Sequence, residues 1–244
     1  MGSSAVFGLP IKRLYGEQAS LTTTSLHLAT MQGYHEVMFY CASAWRLGIA
    51  PMLKNVFVYT AATGVYVDYT AQATDRSDST HVPLDALQTT DIVYMGFQDD
   101  CPRGVYINIG SNANAELATL DIEYVSAVSV AGVNTWTDVA GDSDGTTSGG
   151  ATLAVDGIYT WNLPASVTAT VNGVSNLHWI RFKPSAALSA TVDILEIVPA
   201  CVDTNYAFME AGVPYQFSFN TERAGAFEFD HTGTATLDVT WIRH

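Results

Sequence analysis

The sequence predicts an all-β fold: an antiparallel, jelly-roll-like sandwich inserted in, or joined to, a second small antiparallel region, with an extended N-terminal arm. Three observations predict it. The 244 residues include 27 threonines, 48% are hydrophobic and only 14% charged, a balance suited to pleated, half-buried surfaces. Apolar and polar residues alternate with period two in several places. No segment carries a 3.6-residue apolar stripe over three turns.

Taken in chain order, residues 1–33 show neither periodicity. The run Leu21 to Leu28 (LTTTSLHL) reads as an extended arm able to wrap a neighbouring subunit, or as a loose terminus. Strand-like segments follow at 34–41, 55–60, 64–69, 91–97, 105–109, 117–130, 135–139, 157–161, 166–171, 177–183 and 191–198. Leu120, Ile122 and Tyr124 alternate with Thr119, Asp121 and Glu123. Val105, Ile107 and Ile109 alternate with Tyr106 and Asn108, so each strand should turn one face inward.

The C-terminal segment alternates most plainly. Tyr215, Phe217 and Phe219 interleave with Gln216, Ser218 and Asn220; Phe227 and Phe229 with Glu228 and Asp230; Ala235, Leu237, Val239 and Trp241 with polar residues. The short turns at 221–225 and 231–233 predict a three-stranded antiparallel meander. The expected layout is therefore an arm (1–33), a discontinuous β region (34–85 plus 201–244) and an inserted sandwich (86–200). Pro83, Pro199 and Cys201 mark the cuts, and a single continuous sandwich is the competing layout.

With 24 acidic and 10 basic residues, the net charge is −14. Phosphate backbones and anionic membranes should repel such a chain, so neither nucleic acid nor membrane is an expected partner. Residues 1–10 lack a basic region followed by a long apolar stretch, and there is no 18-residue apolar run, so no signal peptide or membrane helix is expected. Cys41, Cys101 and Cys201 are too few and too far apart for a disulfide framework or zinc site, and read as reduced thiols in a protein made in a cytoplasm.

Residues 141–145 (GDSDG) match the G-x-S-x-G pattern of hydrolase elbows. An elbow needs a helix after the serine, and two flanking carboxylates disfavour an alkoxide at Ser143, so no catalytic serine is expected. Asp142 and Asp144 read as a polar loop, or as a weak calcium site short of ligands. Asp99 and Asp100 precede a turn. The six histidines, at 27, 35, 81, 178, 231 and 244, lack the spacing that puts two ligands on one face. No catalytic residue, cofactor or metal is assigned. Trp136, Trp161 and Trp179 are the candidate ligand contacts: exposed, they would stack on sugar rings; buried, they would fill a sandwich.

One stretch resembles a known pattern: Trp136 to Val139 (WTDV), Asp144 to Thr146 (DGT), Asp156 to Trp161 (DGIYTW), Val171 to Gly173 (VNG) and Leu177 to Arg181 (LHWIR). It is similar to a β-sandwich pattern of tailed-phage and prophage virion proteins, in which a DGT loop precedes a strand ending in Trp and a W-I-R strand. The resemblance spans about residues 88–199. It implies a non-enzymatic module of capsid decoration, tail or fibre proteins. The expectation that follows is a virion structural protein. A capsid decoration or cement protein on the coat-protein lattice comes first, and a tail accessory or carbohydrate- or host-receptor-binding module is the alternative. Its partners would be major capsid or other virion proteins and further copies of itself, a homo-oligomer with a trimer among the candidates. Arg181 stands alone as a charge on an apolar strand, either paired with a cross-strand carboxylate or solvated.

Overall fold

A computed structural model describes residues 13–21, 26–29, 36–75, 79–200, 207–218, 226–231 and 233–243. The described residues form antiparallel sheets joined by turns, with one short 3-10 turn at Gln72–Thr74. Among them no helix is long and apolar enough to cross a membrane. The chain begins with β1 (Arg13–Leu21), β2 (Leu26–Ala29), β3 (Glu36–Cys41) and β4 (Trp45–Ala50). The middle holds β5 (Leu53–Thr60), β6 (Val65–Asp68), β7 (Val82–Pro83), β8 (Ile92–Phe97), β9 (Gly104–Ile109) and β10 (Leu120–Val128). It continues with β11 (Asn134–Asp138), β12 (Ser143–Asp144), β13 (Gly157–Thr160), β14 (Thr168–Val171), β15 (Val174–Pro184) and β16 (Asp193–Pro199). The C-terminal strands are β17 (Ala207–Met209), β18 (Tyr215–Ser218), β19 (Ala226–Asp230) and β20 (Ala235–Arg243).

The two ends of the chain build one sandwich. Its four-stranded sheets run β1-β20-β3-β18 and β17-β4-β19-β2. The alternation in the sequence does its work here: Phe227, Phe229, Leu237, Val239 and Trp241 are all buried, against Val37, Phe39, Trp45 and Leu47. Phe39 sits at the centre, with ring centroids of Phe229, Phe227 and Phe217 at 4.9, 5.0 and 5.8 Å. Offset and edge-on pairs of this kind add to the burial of the rings themselves.

Two expectations for these segments are corrected. The C-terminal strands are not a meander, because β18 and β20 pair with β3 while β19 pairs with β4 and β2. Successive strands cross from one sheet to the other, and each finds its partner far away in sequence. The described part of the supposed arm is strand: β1 pairs with β20 over nine residues, and β2 pairs with β19. Residues 1–12 of that arm, the turn at 221–225 and Cys201 lie outside the described residues.

The larger sandwich faces a seven-stranded sheet, β11-β10-β15-β8-β5-β6 with β14 also on β15, against a five-stranded sheet, β12-β13-β9-β16-β7. Three connections, β7 to β8, β9 to β10 and β15 to β16, each leave one sheet and enter the other. Their strands are neighbours in both sheets, since β16 pairs with β9 and β7 while β15 pairs with β10 and β8. Paired ribbons folded over in this way are the jelly-roll device. Residues 53–69, assigned above to the discontinuous region, belong here, because β5 pairs with β8 and β6 with β5. The core includes Val56, Val93, Met95, Phe97, Ile107, Ile122, Ile180, Phe182 and Ile194. Ala50 and Val198, with Tyr106 against them, fill the junction between the two sandwiches.

Candidate functional site

The outer face of the seven-stranded sheet carries an apolar cluster of its own. Val56 and Val58 of β5 point into the sandwich, so Phe57 and Tyr59 point out; in β8, Val93 and Met95 point in, and Ile92 and Tyr94 out. In β15 the outward set is Trp179, Arg181 and Lys183, and in β10 it is Asp121, Glu123 and Val125. The register lines up Phe57, Tyr94, Arg181 and Glu123 across four neighbouring strands.

One end of this face is sealed. Strand β14, paired along β15, clusters Ala169 and Val171 with Phe57 and Val125 around Trp179, which is fully buried and donates its indole N–H to the Ala169 carbonyl at 3.2 Å. The neighbouring Gly96 has to be glycine, because a Cβ there would stand 2.9 Å from the indole ring.

The other end stays partly open as a row of rings. Tyr59 lies 4.6 Å from Tyr66, Tyr66 lies 5.8 Å from Tyr94, and Tyr94 lies 5.6 Å from Trp136. Tyr59, Tyr66 and Trp136 are half-buried and Tyr94 is buried. The Arg181 guanidinium sits 4.3 Å above the Trp136 ring and donates to Glu123 Oε2 at 2.7 Å. Lys183 reaches Glu123 at 3.3 Å and Asp121 at 3.0 Å. Two cations and two carboxylates thus neutralise one another on a face of an otherwise acidic chain. Burial pulls the Glu123 carboxyl upward, but the hydrogen bond and charge of Arg181, with Lys183 behind it, leave it below its ordinary value. Burial, with Tyr94 beside it, pushes the Tyr66 phenol up to about 12, so it stays a neutral hydrogen-bonding group.

The other candidates from the sequence lie elsewhere, and the three tryptophans do not meet at one surface. Trp161 is in the inner core, its indole N–H donating to the Pro102 carbonyl at 2.8 Å. Asp144 is a local clamp: one oxygen accepts the Thr146 N–H at 2.8 Å and its hydroxyl at 2.6 Å, and the other accepts the Thr152 hydroxyl at 2.5 Å. Asp142 accepts the Tyr159 hydroxyl at 2.9 Å. No cluster of three metal-ligating side chains exists among the described residues.

Ser143 is exposed on the two-residue strand β12 and is followed by turns, not a helix. Ser166 Oγ and His178 Nδ1 are 2.7 Å apart, and Ser166 also bonds the buried Cys101, whose thiol burial pushes well above its ordinary value. That chain ties the 162–167 segment to β15. His81 contacts Asp193 at 3.2 Å, and His231 accepts the Gly233 N–H at 2.9 Å, so these histidines serve separate local contacts.

A cross-strand carboxylate was one of the two settings the sequence left open for Arg181, and Glu123 supplies it; nothing in the sequence reading singled out Tyr59, Tyr66 or Tyr94. The signal available was that β5 and β8 carry large apolar residues at both parities, which marks a strand covered on both faces. Compared with family models and with curated proteins, the sequence matches none.

Proposed function

We propose that the chain is a non-catalytic structural component of a tailed-phage particle, of the capsid decoration type, seated on the outer surface of the coat-protein lattice. The observation that carries the proposal is what the motif residues do. The stretch that resembles virion sandwiches spends its distinctive side chains on architecture: Asp144 clamps the DGT loop, and Gly145 and Gly157 let two backbones touch. Trp161 and Trp179 fill cores, and Arg181 locks β15 to β10. Such a sandwich is a rigid support for a presented surface. Its insertion between two halves of a second sandwich ties it down at both ends, as a part exposed on a particle requires. The net charge of −14 suits a surface facing away from packaged DNA.

Co-sedimentation with particles stripped of the protein tests this reading. Saturable binding at a fixed ratio to coat protein is expected, and failure to bind intact particles would count against it. A deletion meant to probe the N-terminal arm should stop at residue 12, because β1 and β2 are structural strands.

A second reading, recognition of a glycan or host receptor, is favoured by the Tyr59–Tyr66–Tyr94–Trp136 row. Ring spacings of 4.6 to 5.8 Å on a fixed sheet, beside a guanidinium and carboxylates, suit the apolar faces and hydroxyls of sugars. On a glycan array, Tyr66→Ala and Trp136→Ala should each weaken such binding without unfolding the sheet. A protein that gives no array signal excludes the glycan form of this reading.

A further inference from the structure

We infer that the larger sandwich carries a binding cleft at one edge, of a size and lining that take one ring of a neutral saccharide. The seven-stranded sheet ends in β6 and the five-stranded sheet in β7. Strand β7 is only two residues long and finishes at Pro83, which has no N–H to continue a ladder. Val67 of β6 and Pro83 of β7 border a cavity of about 400 Å³ between the two edges, within the roughly 300–1,000 Å³ of clefts that receive small molecules. Its apolar side is formed by Val58, Tyr69, Leu84 and Leu87, and its polar side by Thr60, Asp85, Gln88 and Asp91. Thr60 has the inward parity of Val56 and Val58 on β5.

The cleft is held in shape by the chain itself. Asp91 is buried and clamps the two walls together: one oxygen accepts the Ala61 N–H at 2.8 Å, at the turn after β5, and the other accepts the Gln88 N–H at 2.9 Å. The second wall turns at residues 84–87, where the Leu87 N–H donates to the Leu84 carbonyl at 3.1 Å and Ala86 takes φ of 49°. Left-handed backbone is unfavourable for a residue with a Cβ, and it persists where neighbouring contacts enforce it, ligand clamps among such places. Here the Ala86 N–H donates to the Ser189 carbonyl at 2.8 Å, and its carbonyl accepts the Gln88 side-chain N–H at 2.5 Å. That second bond also fixes the Gln88 amide, whose oxygen is left to accept.

The lining selects its ligand by elimination. It holds two carboxylates and no cation, so it repels an anion. A wholly apolar guest would cover the Thr60 hydroxyl, the second Asp85 oxygen and the Gln88 amide oxygen, which have no partner among the described residues, without bonding to them. A cation would find no free buried carboxylate in the cleft: both Asp91 oxygens are taken, and Asp85 is exposed, with one oxygen held by the Val192 N–H at 3.0 Å. What fits is a neutral molecule with hydroxyls to donate and an apolar face to lay against Tyr69 and Leu87, the chemistry of a pyranose ring. The cleft is separate from the aromatic row, because on β6 Tyr66 belongs to the outer cluster and Val67 to the cavity wall. The inference rests on neither the virion reading nor that row.

Saturation-transfer NMR of the full chain tests the inference, with glucose, galactose, mannose and N-acetylglucosamine as probes and glucuronic acid as the anionic counterpart. At least one neutral sugar should bind, with a Kd of about a millimolar for a single ring, and glucuronic acid should bind more weakly than glucose. Thr60→Val and Gln88→Ala should each weaken binding about threefold to tenfold with unchanged circular dichroism, while Tyr66→Ala on the row leaves it as it is. No binding of any neutral sugar, tighter binding of glucuronic acid than of glucose, or wild-type binding by both cleft variants would each overturn it. Binding lost in Tyr66→Ala but kept in the cleft variants would also overturn it, while sparing the reading of the row as a glycan site.

Discussion

Gly145 and Gly157 show how a motif residue can be decided by space alone. A Cβ on Gly157 would stand 2.1 Å from the Gly145 carbonyl oxygen, and one on Gly145 would stand 2.4 Å from that of Ile158. Both obstacles are backbone, which cannot swing aside as a side chain would. Gly157→Ala should therefore cost about 3 kcal/mol or more, read as a lower urea midpoint with unchanged slope. Glu123 makes a different point. Its carboxyl is held below its ordinary value in the folded state, so the stability it contributes is fully present above the unfolded-state pKa of 4.5 and is lost as pH falls through the lower folded value. Glu123→Gln should cost about 1–3 kcal/mol at neutral pH and flatten the acid limb of a stability-against-pH curve. The sequence told inward from outward at Leu120 and Ile122, but left the tryptophans undecided. Trp179 has the parity of an outward residue and is nonetheless fully buried, because Phe57, Val125, Ala169, Val171 and Leu177 cluster around it; period two reports which face a residue is on, not what covers that face.

Strand pairing was the least legible level. The alternation of 215–241 is the same whether those strands pair with each other or with β1 to β4, and short turns join strands across a sandwich as readily as within a sheet. What decides the matter is the long-range packing of Phe227, Phe229, Leu237 and Trp241 around Phe39, which no local pattern records. The same blindness placed β5 and β6 with the wrong partners. The pairing has a direct consequence. Strands β3 and β4 find their partners only in β17 to β20 among the described residues, so a chain ending at residue 200 should keep slow hydrogen exchange at 53–199 while residues 13–50 exchange at unfolded-chain rates. Protection of β3 and β4 in that truncated chain would contradict the topology.

At the scale of the molecule, one sandwich is built from the two chain ends and carries another inserted between them. The all-β antiparallel character was readable from composition and period. The chain passes from one sandwich to the other between residues 50 and 53 and between 199 and 207, at the Ala50–Val198 junction, positions that no local pattern marks. The acidic balance was readable too, but not its local cancellation by Arg181 and Lys183, which depends on β10 and β15 coming into register. The candidate surface was legible in one residue of the row, Trp136, and hidden in the three tyrosines, whose exposure is set by neighbours distant in sequence.

If this scaffold is a fixed part of a phage particle, as proposed, quantitative mass spectrometry of purified particles from the host that produces it is the decisive measurement. The chain should then be found in the intact particle at a constant ratio to the coat protein and be released as a folded species under mild dissociation. Its absence from particles, with the protein remaining free in the lysate, would rule out a structural role in the virion.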